Sequence, residues 1–218
     1  MCGRATLSTP ARILAEAFGL SFVPELTPRY NVAPTQPVAV VRTAGQLELL
    51  RWGLVLPAGG VKGVGINVRV ESASRVPAYR GPMRTQRCLV VVDGFYEWKR
   101  SGAEKEPWHI HYPDARPFAL GGIWARAENR NGVVVESCAI LTGAAKGVVA
   151  ALHDRMPLLV DPAAWTAWLD PGNTAPKELL STYDDGLVAN AVDSWVNDSK
   201  HEDARCIVPV QSQLPREP

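Results

Sequence analysis

The stretch Arg87-Cys88-Leu89-Val90-Val91-Val92-Asp93-Gly94-Phe95-Tyr96-Glu97-Trp98-Lys99-Arg100 decides the fold class. Cys88 to Asp93 reads as a buried strand, because an unbroken apolar run with three valines suits a sheet covered on both faces. Phe95 to Arg100 is expected to continue it after a break at Gly94. Working outward, more strands follow. Pro37 to Arg42 and Gln46 to Trp52 predict a hairpin around Ala44-Gly45. Trp108 to Tyr112, Phe118 to Trp124 and Val133 to Leu141 extend the set, and Arg205 to Val210 reads as a last strand. Helical signals sit at the edges. Thr9-Pro10 opens an amphipathic helix through Phe18, and Gly19 ends it. Short helices are expected after Thr142, after Asp161 as an N-cap before Pro162, and near Lys177 to Leu180. Pro24 to Pro37 reads as irregular, and the glycine-rich residues 57–65 as a loop. Strands in the middle and helices at the flanks predict an α+β domain. Its core is a mostly antiparallel, barrel-like sheet flanked by short helices. No repeat, low-complexity tract or linker divides the chain, so residues 1–218 form one domain.

Composition excludes several classes. The apolar fraction of 46% and charged fraction of 21% are ordinary globular values, which argues against wholesale disorder. The net charge is only +1, so a nucleic-acid surface must come from the arrangement of arginines, not their excess. No run approaches the roughly 20 apolar residues of a bilayer span, and no signal peptide is evident. A cytoplasmic protein with no membrane partner is expected. Of the four cysteines, Cys88 and Cys138 lie in apolar runs and read as small buried hydrophobes. Cys206 has no distinguishing context, and none of the four forms a C-x-x-C pair. Free thiols in a reducing compartment follow. His109 and His111 alternate on a strand but lack further ligands at metal-site spacing, so no metal is expected. His201 lies in a polar segment and reads as solvated.

Cys2 stands apart because of its place in Met1-Cys2-Gly3-Arg4. Removal of Met1 would leave an α-amine and a thiol on one residue. Their reference pKa values, about 7.7–8.0 and about 8.5, leave a useful fraction of each nucleophilic near neutral pH. Such a pair traps an aldehyde in two steps: the amine forms a Schiff base, then the thiol closes a five-membered thiazolidine. A ring-opened abasic deoxyribose offers that aldehyde. Glu97 is a lone acid among aromatics, and a carboxyl group in apolar surroundings suits proton donation near neutral pH. An acid at a strand edge facing water is the equal alternative. His153, in Leu152-His153-Asp154-Arg155-Met156-Pro157, is a candidate proton shuttle, although a lone histidine is more often structural. Asn67 can orient a substrate, and Arg69 can meet a phosphate bidentately. A surface pair of Arg69 with Glu71 is the plainer reading of those two.

Taken together these segments resemble the SRAP family of abasic-site processing proteins. The resemblance rests on residues in family order over most of the chain. They are Met1 to Arg4, Arg29-Tyr30-Asn31-Val32-Ala33-Pro34-Thr35-Gln36, Arg51-Trp52-Gly53-Leu54-Val55, Asn67-Val68-Arg69-Val70-Glu71, Arg87 to Val90, Asp93 to Trp98, and His153 to Pro157. It implies a β-rich α+β domain with a DNA groove. It also implies a thiazolidine crosslink between mature Cys2 and abasic sites in single-stranded DNA, made in the SOS response by a monomer without cofactors. Glu97 then looks like the family glutamate that assists sugar-ring opening and Schiff-base chemistry. His153 looks like the histidine for proton transfer and later reversal, and Asn67 like the residue that positions the sugar. Arg4, Asn31, Pro34, Trp52, Arg69 and Arg155 match DNA-binding positions, with Trp52 as a stacking aromatic. AP-lyase chemistry and a peptidase activity that removes the N-terminal methionine are implied as well.

Two departures stand out. Val91-Val92 replace the usual Pro-Ala before the Asp/Ser-Gly-Phe-Tyr-Glu-Trp motif, and the usual Pro-x-Trp after Arg-Trp-Gly-Leu is missing, so one stacking tryptophan is expected to be absent. Two other classes fit parts of the sequence. Glutamine amidotransferases also begin Met-Cys-Gly, and a non-catalytic DNA-binding module would share the same arginines.

Overall fold

A computed structural model describes residues 2–56, 65–73, 75–102, 104–128, 131–181 and 186–210. The chain opens with strand β1 (Ala5–Leu7) and helix α1 (Ala11–Phe18), which ends at Gly19 in the left-handed conformation. A short strand β2 (Arg29–Val32) lies inside the proline-rich stretch expected to be irregular, where it pairs with β1. β3 (Pro37–Val41) and β4 (Glu48–Trp52) form the predicted hairpin, with Gly45 at φ 87°. The loop expected at 57–65 lies outside the described residues except for Gly65, whose carbonyl accepts from Leu54.

Next come β5 (Asn67–Arg69), α2 (Val70–Ala73) and α3 (Pro77–Thr85). The valine run is β6 (Arg87–Val92), buried at every position. β7 (Gly94–Ser101), β8 (Glu104–His111), β9 (Phe118–Glu128) and β10 (Val134–Ala144) follow. α4 (Gly147–Ala150), β11 (Arg155–Pro157) and β12 (Leu159–Val160) lead to a 3-10 turn capped by Asp161, whose Oδ1 accepts from the Ala163 amide at 2.8 Å. α5 (Trp165–Leu169), β13 (Leu180–Ser181) and β14 (Val188–Ala191) complete the regular elements. The expected last strand is corrected. Asp203 accepts from the Arg205 amide at 2.9 Å and caps a 3-10 turn, Ala204–Ile207, leaving one β-bridge at Pro209.

Five strands close on themselves in the order β4-β3-β6-β9-β10, with β10 returning parallel to β4. The other pairs in the ring are antiparallel. A second antiparallel sheet runs β14-β8-β7-β1-β2. The chain passes between the two at Asp93-Gly94, so Phe95 to Arg100 does not continue β6 but enters the other sheet. Only glycine fits at the crossing: a Cβ on Gly94 would lie 2.1 Å from His109 Nε2.

Alternation along the strands separates two apolar sets. Val38, Val40, Leu50, Trp52, Cys88, Val90, Leu120 and Ile140 face inward and run on to Phe95 and Ile110 of the second sheet. Ala39, Val41, Leu89, Val91, Ile123 and Leu141 face outward against Leu14 and Phe18 of α1, Met83 of α3 and Trp168 of α5. The ring can bury both faces because helices cover its outside.

Candidate functional site

Asp93, at the crossing, anchors the N-terminal segment. Its carboxylate accepts from Thr6 Oγ1 at 2.6 Å, the Ser8 amide at 2.6 Å and the Thr9 amide at 2.9 Å, and from the hydroxyls of Ser8 and Thr9. Upstream, the Tyr96 amide donates to the Arg4 carbonyl at 3.0 Å. These bonds seat β1 against β7 and bring Cys2 into the inner apolar set, fully buried. Glu97 shares a face of β7 with Phe95 and is 3% exposed. Asn67 arrives from the other sheet, fixed by the parallel pairing of β5 with β10. Its Nδ2 donates to the Cys2 carbonyl at 2.6 Å. Its buried Oδ1 has no hydrogen-bond partner among the described residues, an acceptor beside Cys2 that a substrate hydroxyl can satisfy.

Burial, and then the charge of Glu97, push the Cys2 thiol well above its ordinary range. The expectation of a partly ionised thiol near neutral pH is therefore corrected. A thiolate here would lie in a poorly solvated site beside a carboxylate.

His153 follows α4 with its side chain 28% exposed. Its Nδ1 lies 2.9 Å from the Arg155 amide and 2.8 Å from Asp154 Oδ1. These neighbours make opposite demands: the amide needs a lone pair on Nδ1, the carboxylate a proton. The amide is fixed by β11, whereas the Asp154 side chain is 85% exposed and can turn to water. We assign Nδ1 as acceptor, which leaves the proton on Nε2.

Glu97 and His153 meet in a cleft of about 410 Å³, which Arg4, Trp98, Arg100, Lys105 and Asn197 also line. Arg100 and Lys105 face each other across the β7–β8 hairpin. Neither was singled out in the sequence. The signal was available in the basic residues flanking Gly102, once Glu97 was placed on the same hairpin.

The other expected DNA contacts divide. Arg4 is half-buried and donates to Asn31 Oδ1 at 2.7 Å and to the carbonyls of Val196 and Asn197 at 2.9 and 3.3 Å. Asn31 is corrected: it is fully buried, and its Nδ2 faces the carbonyls of Val196, Asp198 and His201. It joins the N-terminal site to the C-terminal segment instead of meeting solvent. Trp52 is corrected too. It is fully buried in the ring, so no face is open for stacking, and its Nε1 donates to the Ile66 carbonyl at 3.0 Å, next to Asn67. Pro34 is half-buried in the turn between β2 and β3, where Thr35 adopts φ 75°, strained for a β-branched residue. Arg69 is exposed. Arg155 grips Glu71 bidentately at 2.8 and 3.0 Å, and these bonds hold the Glu71 carboxyl down to about 2. Glu71 thus pairs with Arg155, not with Arg69. Among the described residues, no group of three His, Cys, Asp or Glu could hold a metal ion, and no helix is long and apolar enough to cross a membrane.

A family model described as SOS response associated peptidase (SRAP) matches residues 1–199. The chain belongs to the SRAP family. Within it, an abasic site processing protein of Bacillus subtilis, YoqW, is 35% identical, the match covering 95% of this chain and 99% of that protein. The abasic site processing protein YedK of Escherichia coli is 30% identical, covering 96% of this chain and 100% of YedK. A crystal structure of a Bacteroides thetaiotaomicron protein shares the fold with a TM-score of 0.82 at 20% identity, covering 96% of this chain and all of that one. The SRAP fold is thus the closed barrel with its second sheet, and Cys2 is held where the two meet.

Proposed function

We propose that this SRAP protein processes abasic sites in DNA, and that Cys2, freed by removal of Met1, captures them in single strands as a thiazolidine crosslink. One observation carries the reading: buried Cys2 lies beside Asn67 and Glu97, from three separate segments, and Glu97 lines a cationic cleft together with His153. The names of the SRAP relatives support it.

The chemistry balances within that cleft. The Glu97 carboxylate takes the proton of the anomeric hydroxyl and delivers it to the ring oxygen of the abasic sugar, which opens the aldehyde. The Cys2 α-amine adds to the carbonyl carbon and water leaves, giving an imine. The sulfur adds to the imine carbon, and its proton passes through the Glu97 carboxylate to the nitrogen. Because the thiol is not ionised beforehand, the amine acts first. Asn67 holds the Cys2 carbonyl and offers Oδ1 to the sugar. His153, with its proton on Nε2, serves the reverse reaction. Pro34 and Arg69 face the strand, as do Arg4, Arg100 and Lys105 from the cleft wall, and Arg155 does so after exchanging Glu71 for a phosphate. AP-lyase cleavage from the imine and self-removal of Met1 are companion activities of a cytoplasmic monomer in the SOS response.

The test mixes purified protein with a single-stranded oligonucleotide carrying one abasic site. Wild type should give an adduct that survives denaturing electrophoresis, and its intact mass should lack Met1. Glu97→Ala should slow adduct formation and His153→Ala its release. An adduct of wild-type yield from Cys2→Ala would overturn the proposal.

A further inference from the structure

A second cleft, of about 770 Å³, opens between α3 and the chain that follows α5. Arg80, Arg84 and Thr85 line one wall, and Asn173, Lys177 and Glu178 the other. Arg84 and Lys177 are exposed, and neither has a carboxylate within ion-pair distance among the described residues. Beneath them lies Arg87, 2% exposed, whose guanidinium donates to the carbonyls of Met83, Arg84, Trp168 and Asp170. Carbonyl partners satisfy its N–H groups but leave its charge in place. Among the described residues at this cleft, the exposed cations Arg84 and Lys177 stand near two acids, Glu178 and Asp170, and Asp170 Oδ1 is engaged by the Gly172 amide at 2.8 Å.

The chain leading from Asn67 to this cleft is itself basic. Residues 69–87 carry Arg69, Arg75, Arg80, Arg84 and Arg87 against one acid, Glu71, which Arg155 already holds. The segment leaves β5 two residues after Asn67, which touches Cys2. Arg80 and Arg84 are four residues apart on α3, with roughly 5–6 Å between their Cβ atoms, one above the other on a single face. Exposed cations spaced along a line suit a polyanion better than a small buried ligand.

We propose that this cleft is a second subsite that holds backbone phosphates of DNA beyond the lesion. The inference rests on the reading of the chain as a DNA-binding protein, but on none of the Cys2 chemistry.

The experiment uses the full-length protein and the double variant Arg84→Ala/Lys177→Ala. Fluorescence anisotropy across a salt series is read on an undamaged single strand of about 20 nucleotides, on the same strand with its outer half made duplex, and on an abasic strand of about 5 nucleotides. For the long single strand, two lost phosphate contacts should flatten the log–log salt slope by about 1.4 and weaken binding on the order of 25-fold at about 0.1 M salt. A loss of about 1.8 confined to the part-duplex probe would assign the occupant to duplex phosphates instead. The short abasic probe should bind and crosslink as in wild type. Unchanged slopes on both long probes would overturn the proposal, and so would an equal loss on the short probe. Failure of wild type to crosslink the short probe, with the long-probe difference intact, would sink the capture chemistry and leave this subsite standing.

Discussion

His109 should set the acid sensitivity of the fold. It lies on β8 opposite Tyr96, 6% exposed, with its ring centroid 5.0 Å from Tyr96 and 4.8 Å from His111. Its Nε2 is 3.2 Å from Thr6 Oγ1, whose own proton goes to Asp93 at 2.6 Å, so Nε2 must bring the hydrogen. Burial, and then the neighbouring His111, hold the imidazole down to about 3. The unfolded chain titrates near 6.5, so below that value it binds a proton that the folded protein refuses. Stability is therefore complete above about 6.5 and drains away as pH falls toward 3. Linkage over these values gives a loss of about 2 kcal/mol between about pH 7 and pH 5. His109→Gln keeps an N–H for Thr6 and removes the titration. Urea unfolding at several pH values should show wild type losing about 2 kcal/mol more than the variant over that interval. His153 and His201, away from the substitution, are common to both proteins and cancel in the difference. Parallel losses would refute the reasoning.

Two other substitutions test the site's framework. Gly94→Ala would set a Cβ 2.1 Å from His109 Nε2 and 2.8 Å from Thr6 Oγ1. Parting β7 from β8 to make room should cost about 3 kcal/mol and lower Tm by roughly 6–12 °C in a calorimetric scan. Trp52→Phe removes the bond to Ile66 and part of a buried ring, and should cost about 2 kcal/mol by denaturant titration. Affinity for undamaged single-stranded DNA should stay within about twofold, whereas a stacking tryptophan would forfeit about 1–3 kcal/mol.

The sequence revealed those parts of the fold that rest on local pattern. The valine run, the hairpin around Gly45 and the helix ending at Gly19 each carry period and punctuation of their own. Long-range closure left no such trace. Nothing in Ser137 or Cys138 announces a parallel partnership with Arg51 and Trp52 that seals the barrel. β2 was hidden because its pairing is with β1, far away in sequence, while prolines surround it. Cys2, Asn67, Glu97 and His153 read from the sequence as types of residue suited to one reaction, and the fold sets Asn67 and Glu97 beside Cys2. The state of the thiol was not, because burial is a property of the packed chain. Asn31 and Trp52 were misjudged for the same reason: an amide or an indole in a motif looks alike whether it faces solvent or the interior.

The segment around residues 196–206 has a consequence in time. Arg4 and Asn31 depend on carbonyls of Val196, Asn197, Asp198 and His201, the amides of Tyr30 and Asn31 donate to Glu202, and the Tyr96 hydroxyl, which donates to the Tyr30 carbonyl at 2.7 Å, lies 3.3 Å from the Cys206 carbonyl. Residues 4, 30 and 31 thus receive these partners only after residues 196–206 have been made. At about 5–20 residues per second the N-terminal segment waits on the order of 10–40 s for that clamp. Under the proposed capture chemistry, Cys2 would meet cellular aldehydes during that interval without the residues that form the cleft around Glu97. On that proposal, synthesis and competence are separated in time, and nascent chains would be the population most exposed to misdirected reaction.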